Sequence, residues 1–132
     1  MLRIILGLFM VLHGLVHLLY FGQSARFFEL KPGMVWPAGS WAFSKLLGDG
    51  TTRGLASVFL VLAAAGFIAS GAGVLFNLGW WRGLVVGVAV FSTLIFLLFW
   101  DGGMQNLDGK GAVAILINLA ILAVVLVWKP SL

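Results

Sequence analysis

Cysteine is absent from this chain of 132 residues. Its absence excludes disulfides, thiolate nucleophiles, iron–sulfur clusters and cysteine-bound zinc. Histidine is nearly absent too, since His13 and His17 are the only two. Any imidazole chemistry therefore depends on one short stretch near the N-terminus.

Charged residues are also scarce. Only 9% of the residues are charged, whereas 62% are hydrophobic, and the mean hydropathy is +1.14. A soluble domain has about a quarter of its residues charged, so this chain has too little polar surface to cover a water-soluble fold. The net charge is +4, and the sequence has no Lys/Arg run. A basic excess without such a run favours contact with membrane lipids over nucleic acid. The composition predicts one membrane domain, residues 1–132.

Four apolar runs contain no Asp, Glu, Lys or Arg. They are Ile4–Gly22, Gly54–Phe76, Gly83–Trp100 and Gly111–Trp128. Each is close to the roughly 20 residues that a helix needs to cross a bilayer, and tryptophan or a basic residue marks most of their ends. Because the sequence after the first run is a poor signal-peptidase site, we expect that run to be retained. The predicted fold is all-α, a bundle of four transmembrane helices.

The first connection, residues 23–53, is too long for a hairpin and too aromatic for a disordered linker. It predicts short interfacial helices near residues 24–30 and 38–47, separated by Pro32-Gly33 and Pro37. We expect this segment to cover one end of the bundle.

The charges bear on membrane orientation. Four spans would place both termini and residues 77–82 on one side, which has Arg3, Arg82 and Lys129 but no acid. All four acids lie on the other side, together with more Lys and Arg residues. The total Lys/Arg count favours the long connection inside, but the position of the basic residues at the span ends favours cytoplasmic termini. We expect a multi-pass protein of a prokaryotic inner membrane with its termini in the cytoplasm.

His13 and His17 lie four residues apart, so they share one helix face with Tyr20. A polar side chain is costly in lipid, and both imidazoles are expected to point into the bundle. Three functional interpretations are open: one axial ligand of a haem, half of a metal site, or a hydrogen bond to a quinone or another lipophilic ligand. A fourth interpretation is structural, with hydrogen bonds between helices.

Asn118 is the other polar residue of note inside a span. Its amide must find hydrogen-bond partners where no water is present. We predict that His13 or His17 hydrogen-bonds a residue of the third or fourth helix, with Asn118 the favoured partner and Ser92 and Thr93 as alternatives.

The loop after the third run, WDGGMQNLDG, places Trp100 and Asp101 at a membrane surface. The candidate ligand-binding residues are His13, His17, Tyr20, Asn118, Trp100 and Asp101, and the two histidines are also the candidate metal ligands. No Ser/His/Asp set, P-loop, GxGxxG or HExxH motif is present, so no catalytic residue is assigned and an enzyme is disfavoured.

The stretches LHGLVHLLYFG and GFIASGAGVLFNLGWWRGLVVGVAVFSTLIFLLFWDG resemble small prokaryotic four-helix membrane proteins of the DoxX/DoxD-like type. Helix number and the long first connection add to the resemblance. It implies association with quinone-linked sulfur or oxygen metabolism.

Three functions remain open from the sequence. The favoured one is a non-catalytic subunit, or a component that binds a lipophilic ligand, beside a membrane redox or transport system. The second is a structural or assembly protein that docks other helices, in a homo-oligomer or a larger membrane complex. The third is an oxidoreductase component linked to quinone, haem or metal that uses His13 and His17.

Overall fold

The apolar runs fold as helices, in which a single segment satisfies its own backbone in lipid. A computed structural model describes residues 1–132, and all of its regular structure is helical. Three helices are long and apolar enough to cross a membrane: α1 (Leu2–Ser24), α2 (Ser44–Leu75) and α3 (Trp81–Leu98).

The fourth apolar run forms a shorter helix. Here α4 (Ala112–Ala123) has 12 residues, and a π-helical turn, Val124–Trp128, adds five more. A short 3₁₀ turn, Leu107–Lys110, precedes it. Three of the four predicted spans are therefore confirmed by length and composition, whereas a four-span bundle is not.

Consecutive helices pack against each other, α1 on α2, α2 on α3 and α3 on α4. The short connection 76–80 makes α2 and α3 neighbours. At the crossing of α1 and α2 the backbones come close, because a Cβ added at Gly71 would lie 2.7 Å from the carbonyl oxygen of Gly7. Small residues provide this approach, which favours helix association in lipid.

Helix α2 begins earlier than its apolar run. It starts at Ser44 and continues past a break at Gly48, where φ is 77° and ψ is 163°. The predicted interfacial helix at 38–47 is therefore wrong in its extent. Only residues 44–47 of it are helical, and the break at Gly48 separates this short turn from the rest of α2.

The lid, defined here as residues 25–43, contains turns but no helix. The predicted interfacial helix near 24–30 is wrong. Gln23 Nε2 donates to the carbonyl of Met34 at 3.0 Å, and the Arg26 guanidinium donates to those of Val35 and Trp36, each at 2.9 Å. These side chains satisfy lid carbonyls that a helix would otherwise satisfy, and they hold the segment over the end of α1.

The lid is also hydrogen-bonded to the end of α3. The last carbonyls of a helix have no partner within it. Here Trp41 Nε1 donates to the carbonyl of Leu97 at 2.7 Å, its backbone N–H donates to that of Trp100 at 2.9 Å, and the Ser40 hydroxyl donates to that of Leu98. The lid therefore contacts the end of α3 as well as that of α1.

Candidate functional site

Four polar side chains meet inside the bundle and form what we call the polar network: His13, His17, Ser92 and Asn118. His13 Nε2 lies 2.8 Å from Asn118 Oδ1, His17 Nε2 lies 2.6 Å from Ser92 Oγ, and Asn118 Nδ2 lies 2.9 Å from Ser92 Oγ. None of the four residues is more than 4% exposed. The prediction that both imidazoles point inward and that Asn118 is a partner is confirmed.

The direction of each hydrogen bond follows from one acceptor. His17 Nδ1 lies 2.8 Å from the carbonyl oxygen of His13, which only accepts, so Nδ1 carries a proton. With His17 neutral, its Nε2 accepts from the Ser92 hydroxyl. Ser92 Oγ then accepts from the Asn118 amide, whose Oδ1 accepts from His13 Nε2. The hydrogen bonds therefore form one continuous chain in which every donor points in the same direction, from His13 through Asn118 and Ser92 to His17.

This chain of hydrogen bonds also explains why a neutral His17 fits the site. A second proton would make Nε2 a donor, and the Ser92 hydroxyl hydrogen would lose its acceptor. Asn118 Nδ2 offers no lone pair to replace it. The arrangement of Ser92 and Asn118 is thus complementary to the neutral imidazole.

The residues present do not fit a metal ion or a haem iron at this position. Both nitrogens of His17 are used in hydrogen bonds, and only Nδ1 of His13 is free of them. No group of three or more His, Asp or Glu side chains is placed to hold a metal. Aromatic rings also cover the pair, with the Phe67 ring centre 4.6 Å from that of His13 and 5.0 Å from that of His17.

An aromatic layer separates the polar network from the lid. The ring centres of Tyr20, Trp36 and Phe96 lie 5.0 to 5.4 Å apart. Trp36 comes from the lid and is only 3% exposed, and its indole N–H is buried without a hydrogen-bond partner. Such a group is uncommon in folded proteins and calls for an explanation.

A cavity of about 260 Å³ lies between the lid and the loop that follows α3. We call it the mouth cavity. Its lining combines charged residues with aromatic ones, including Lys31, Trp36, Phe99, Asp101, Asp108 and Lys110. Charged and aromatic groups that converge on one concave space are typical of a ligand site.

The charges of the mouth cavity are paired. Lys110 Nζ lies 3.1 Å from Asp101 Oδ1, and Lys31 pairs with Asp108. Partial burial acts to raise the pKa of Asp101, but the Gly103 N–H and the Lys110 ammonium together outweigh it and hold that pKa below its ordinary value. The hydrogen bond and charge of Lys31 likewise lower the pKa of Asp108. Both carboxylates are therefore ionised at neutral pH, and the four charges cancel.

A second concave surface adjoins the mouth cavity. This lateral groove, of about 340 Å³, lies between the end of α3 and the start of α4, and eight of its nine lining residues are hydrophobic. Trp100 and Phe96 line it from α3 and the residues after it, and Ile115 and Leu116 line it from α4. Lys110 lines both the groove and the mouth cavity.

The six predicted ligand-binding residues therefore do not meet at one place. His13, His17 and Asn118 belong to the polar network, and Tyr20 packs above it in the aromatic layer. Asp101 lines the mouth cavity and Trp100 lines the lateral groove.

Sequence reasoning missed three residues that shape the lid end: Gln23, Trp36 and Lys110. Gln23 is fully buried, and its place directly after an apolar run was the available signal. Lys110 is in the same loop as Asp101, so their pairing was open to a sequence argument. Nothing local marks Trp36, since its surroundings depend on how the lid folds.

The chain is a helical protein with three helices of membrane-spanning length and a cavity at one end. Comparison with protein-family models, with curated proteins and with solved structures gives no match. The DoxX/DoxD-like resemblance stays a prediction.

Proposed function

We propose that this protein is a non-catalytic integral membrane component that binds a lipophilic ligand at the lid end. The observation that carries the proposal is that Lys110 lines both the mouth cavity and the lateral groove. A polar space beside an apolar one suits a molecule that is soluble in the bilayer and has a polar end.

The polar network supports a structural rather than a chemical role for His13 and His17. Their hydrogen bonds are directed at other residues of the chain, and aromatic rings cover them. The backbones of α1 and α4 approach each other less than those of consecutive helices. The bond between His13 and Asn118 therefore fixes two helices that other contacts hold only weakly.

We also propose that the termini face the cytoplasm of a prokaryotic inner membrane. The basic residues at the end opposite the lid, Arg3, Arg82 and Lys129, lie directly at the ends of the apolar runs, and no acid accompanies them. Lys and Arg residues close to span ends favour the cytoplasmic side. A membrane redox or transport system is the proposed setting, which the DoxX/DoxD-like resemblance supports.

The test is to purify the protein in mild detergent, extract it with organic solvent and identify retained lipophiles by mass spectrometry. Ala38 lines the mouth cavity, and Ala38→Trp should reduce the retained amount several-fold by filling that space. Leu46→Trp is the matched control, because Leu46 is 83% exposed and lines neither cavity. Equal retention of every lipophile by the wild type, Ala38→Trp and Leu46→Trp would show that the cavity binds nothing.

A further inference from the structure

An arginine stands at the end of α1 where helix geometry favours glycine. The helix ends in a Schellman motif, in which the Phe27 N–H donates to the carbonyl of Gly22 at 2.9 Å. The Arg26 N–H donates to the carbonyl of Gln23 at 3.1 Å, and φ of Arg26 is 63°. Glycine is the usual residue in this left-handed conformation because a side chain strains it. An arginine here therefore indicates that its side chain has a use beyond ending the helix.

The guanidinium of Arg26 contacts three consecutive carbonyl groups of the lid. Its Nη1 donates to the carbonyl of Trp36 at 2.9 Å, and its Nη2 donates to those of Val35 at 2.9 Å and Pro37 at 3.2 Å. We call these three acceptors the carbonyl cage. A fourth bond, of 3.3 Å, joins Nη1 to the Gln23 carbonyl. No acid takes part, because both ion pairs of the protein join other residues. A planar guanidinium with five N–H donors suits several acceptors at once.

Few other hydrogen bonds hold this part of the lid. Besides the bonds from Arg26, the backbone of residues 35–39 takes part in one, a 3.4 Å contact from Gln23 Nε2 to the carbonyl of Trp36. Three residues of this stretch line the mouth cavity: Val35, Trp36 and Ala38. This part of the cavity wall therefore depends on one guanidinium more than on the lid's own backbone.

One member of the carbonyl cage, Trp36, also anchors the lid in the bundle. Its ring centre lies 5.4 Å from those of both Tyr20 and Phe96, and the residue is only 3% exposed. Arg26, in contrast, is exposed at the surface. Because its guanidinium is bonded to the backbone of Trp36, a surface residue is linked directly to the buried aromatic layer.

We propose that Arg26 is a positioning residue for the mouth cavity. Its guanidinium holds residues 35–37 where they line the cavity and keep the Trp36 ring in the aromatic layer, and these bonds offset the strain of a left-handed arginine. The proposal rests on the function proposed above in one respect: a ligand at the lid end should be retained only while the carbonyl cage is filled.

Helix α2 provides a matched control, because it ends in the same motif. The Leu78 N–H donates to the carbonyl of Gly73 at 2.8 Å. The Asn77 N–H donates to that of Val74 at 3.2 Å, and φ of Asn77 is 56°. The Asn77 side chain is exposed and has no hydrogen-bond partner. Asn77→Gly therefore removes strain alone, whereas Arg26→Gly removes the strain and the guanidinium together.

The experiment follows the Trp36 indole N–H, which is buried. Its exchange with deuterium, measured by NMR on the full chain in detergent micelles with isotope-labelled tryptophan, reports whether the lid is in place. Arg26→Gly should exchange this hydrogen several-fold faster than the wild type and retain several-fold less lipophile, while Asn77→Gly should match the wild type in both. Equally slow exchange in the two variants would overturn the proposal, because ending the helix would then be the whole role of Arg26.

Chemical rescue separates the loss of the guanidinium from a general loss of structure. Free guanidinium at millimolar concentration can reach the carbonyl cage, because Arg26 is exposed. It should slow indole exchange in Arg26→Gly toward the wild-type rate, and sodium at the same concentration should not. Arg26→Asn is the second variant, since asparagine tolerates the left-handed conformation but is too short to fill the cage. Unfolding of the whole bundle by both substitutions would contradict the proposal, because the polar network does not involve Arg26.

The outcomes also separate this proposal from the broader one. If the wild type retains no lipophile but indole exchange responds as described, the proposed function fails and the positioning role of Arg26 stands. If the wild type retains a lipophile that Ala38→Trp displaces, yet Arg26→Gly retains it fully, Arg26 does not position the site and the proposed function stands.

Discussion

His13 Nε2 lies 2.8 Å from Asn118 Oδ1, although the two residues are 105 positions apart in the chain. This bond joins the first helix to the last and makes the polar network a contact among α1, α3 and α4. Because its members are at most 4% exposed, no water replaces a bond that is lost. The network is therefore expected to act as one unit.

The first prediction concerns Asn118. Asn118→Leu removes the acceptor of His13 and the donor to Ser92, and it leaves both buried without replacement. A group orphaned in this way costs about 1–3 kcal/mol, so the variant should unfold more readily by about that amount in a detergent denaturation assay.

Thr93→Val is the control for Asn118→Leu. The Thr93 hydroxyl donates only to the carbonyl of Ala89 in its own helix, so its loss should cost much less. Equal destabilisation by the two variants would contradict the view that the network links helices.

The second prediction concerns the lid. Gln23→Leu removes the donor to Met34 and the acceptor of the Leu30 N–H. Amide hydrogen exchange in residues 30–37 should therefore become faster, while exchange in α2 and α3 should stay as in the wild type. Lys45→Gln, at an exposed site, is expected to have no effect. Unchanged exchange in Gln23→Leu would show that other contacts hold the lid.

Helix positions and the buried contact could be predicted from the sequence because solvation decides both. Apolar runs must be helical in lipid, and polar groups inside them must find each other. His13, His17 and Asn118 are among the few polar side chains inside the apolar runs. Few pairings were therefore available, and their contact could be predicted.

The lid and the cavity could not be predicted in the same way. The lid's conformation depends on hydrogen bonds from Gln23 and Arg26 to carbonyls that lie about ten residues later in the chain. No local sequence pattern predicts these partners. Likewise, the mouth cavity is lined by the ion pair of Lys31 and Asp108, which are 77 positions apart. The start of α2 was missed because the polar residues before Gly54 were assigned to the connection, whereas the helix already covers residues 49–53.

The third prediction is a pH dependence at the mouth cavity. The pKa of Asp101 in the folded protein lies below its ordinary value of 3.8. A carboxyl with a lowered pKa stabilises the folded state fully above its ordinary pKa, and this contribution is lost as the pH falls through the folded-state value. The protection of the amides in the loop 99–111, measured relative to their intrinsic exchange rate at each pH, should therefore decrease below about pH 4.

Asp101→Asn tests the origin of that effect. The variant should show the lower protection at neutral pH already and should respond less to acid. Asp49→Asn is the matched control, because Asp49 forms no ion pair. If acid reduced the protection of this loop equally in the wild type and in Asp101→Asn, the ion pair with Lys110 would not be its cause.

The last prediction concerns Gly111, which joins the loop to α4. Its φ is 90°, and a Cβ added there would lie 2.1 Å from Cδ1 of the Phe96 ring. Gly111→Ala therefore meets two penalties, since a side chain strains this backbone by about 1–3 kcal/mol and Phe96 has to move. Because Phe96 lines the lateral groove and packs on Trp36, the variant should be less stable and should also lose lipophilic ligand.

Gly83→Ala is the control: no atom lies within 4 Å of its added Cβ, and alanine is favoured over glycine in a helix by roughly 0.5–1 kcal/mol. In thermal unfolding, Gly111→Ala should be less stable than the wild type and Gly83→Ala should be more stable. In lipophile retention, only Gly111→Ala should differ from the wild type. A Gly111→Ala protein as stable and as well loaded as Gly83→Ala would show that the Phe96 ring does not need its present position.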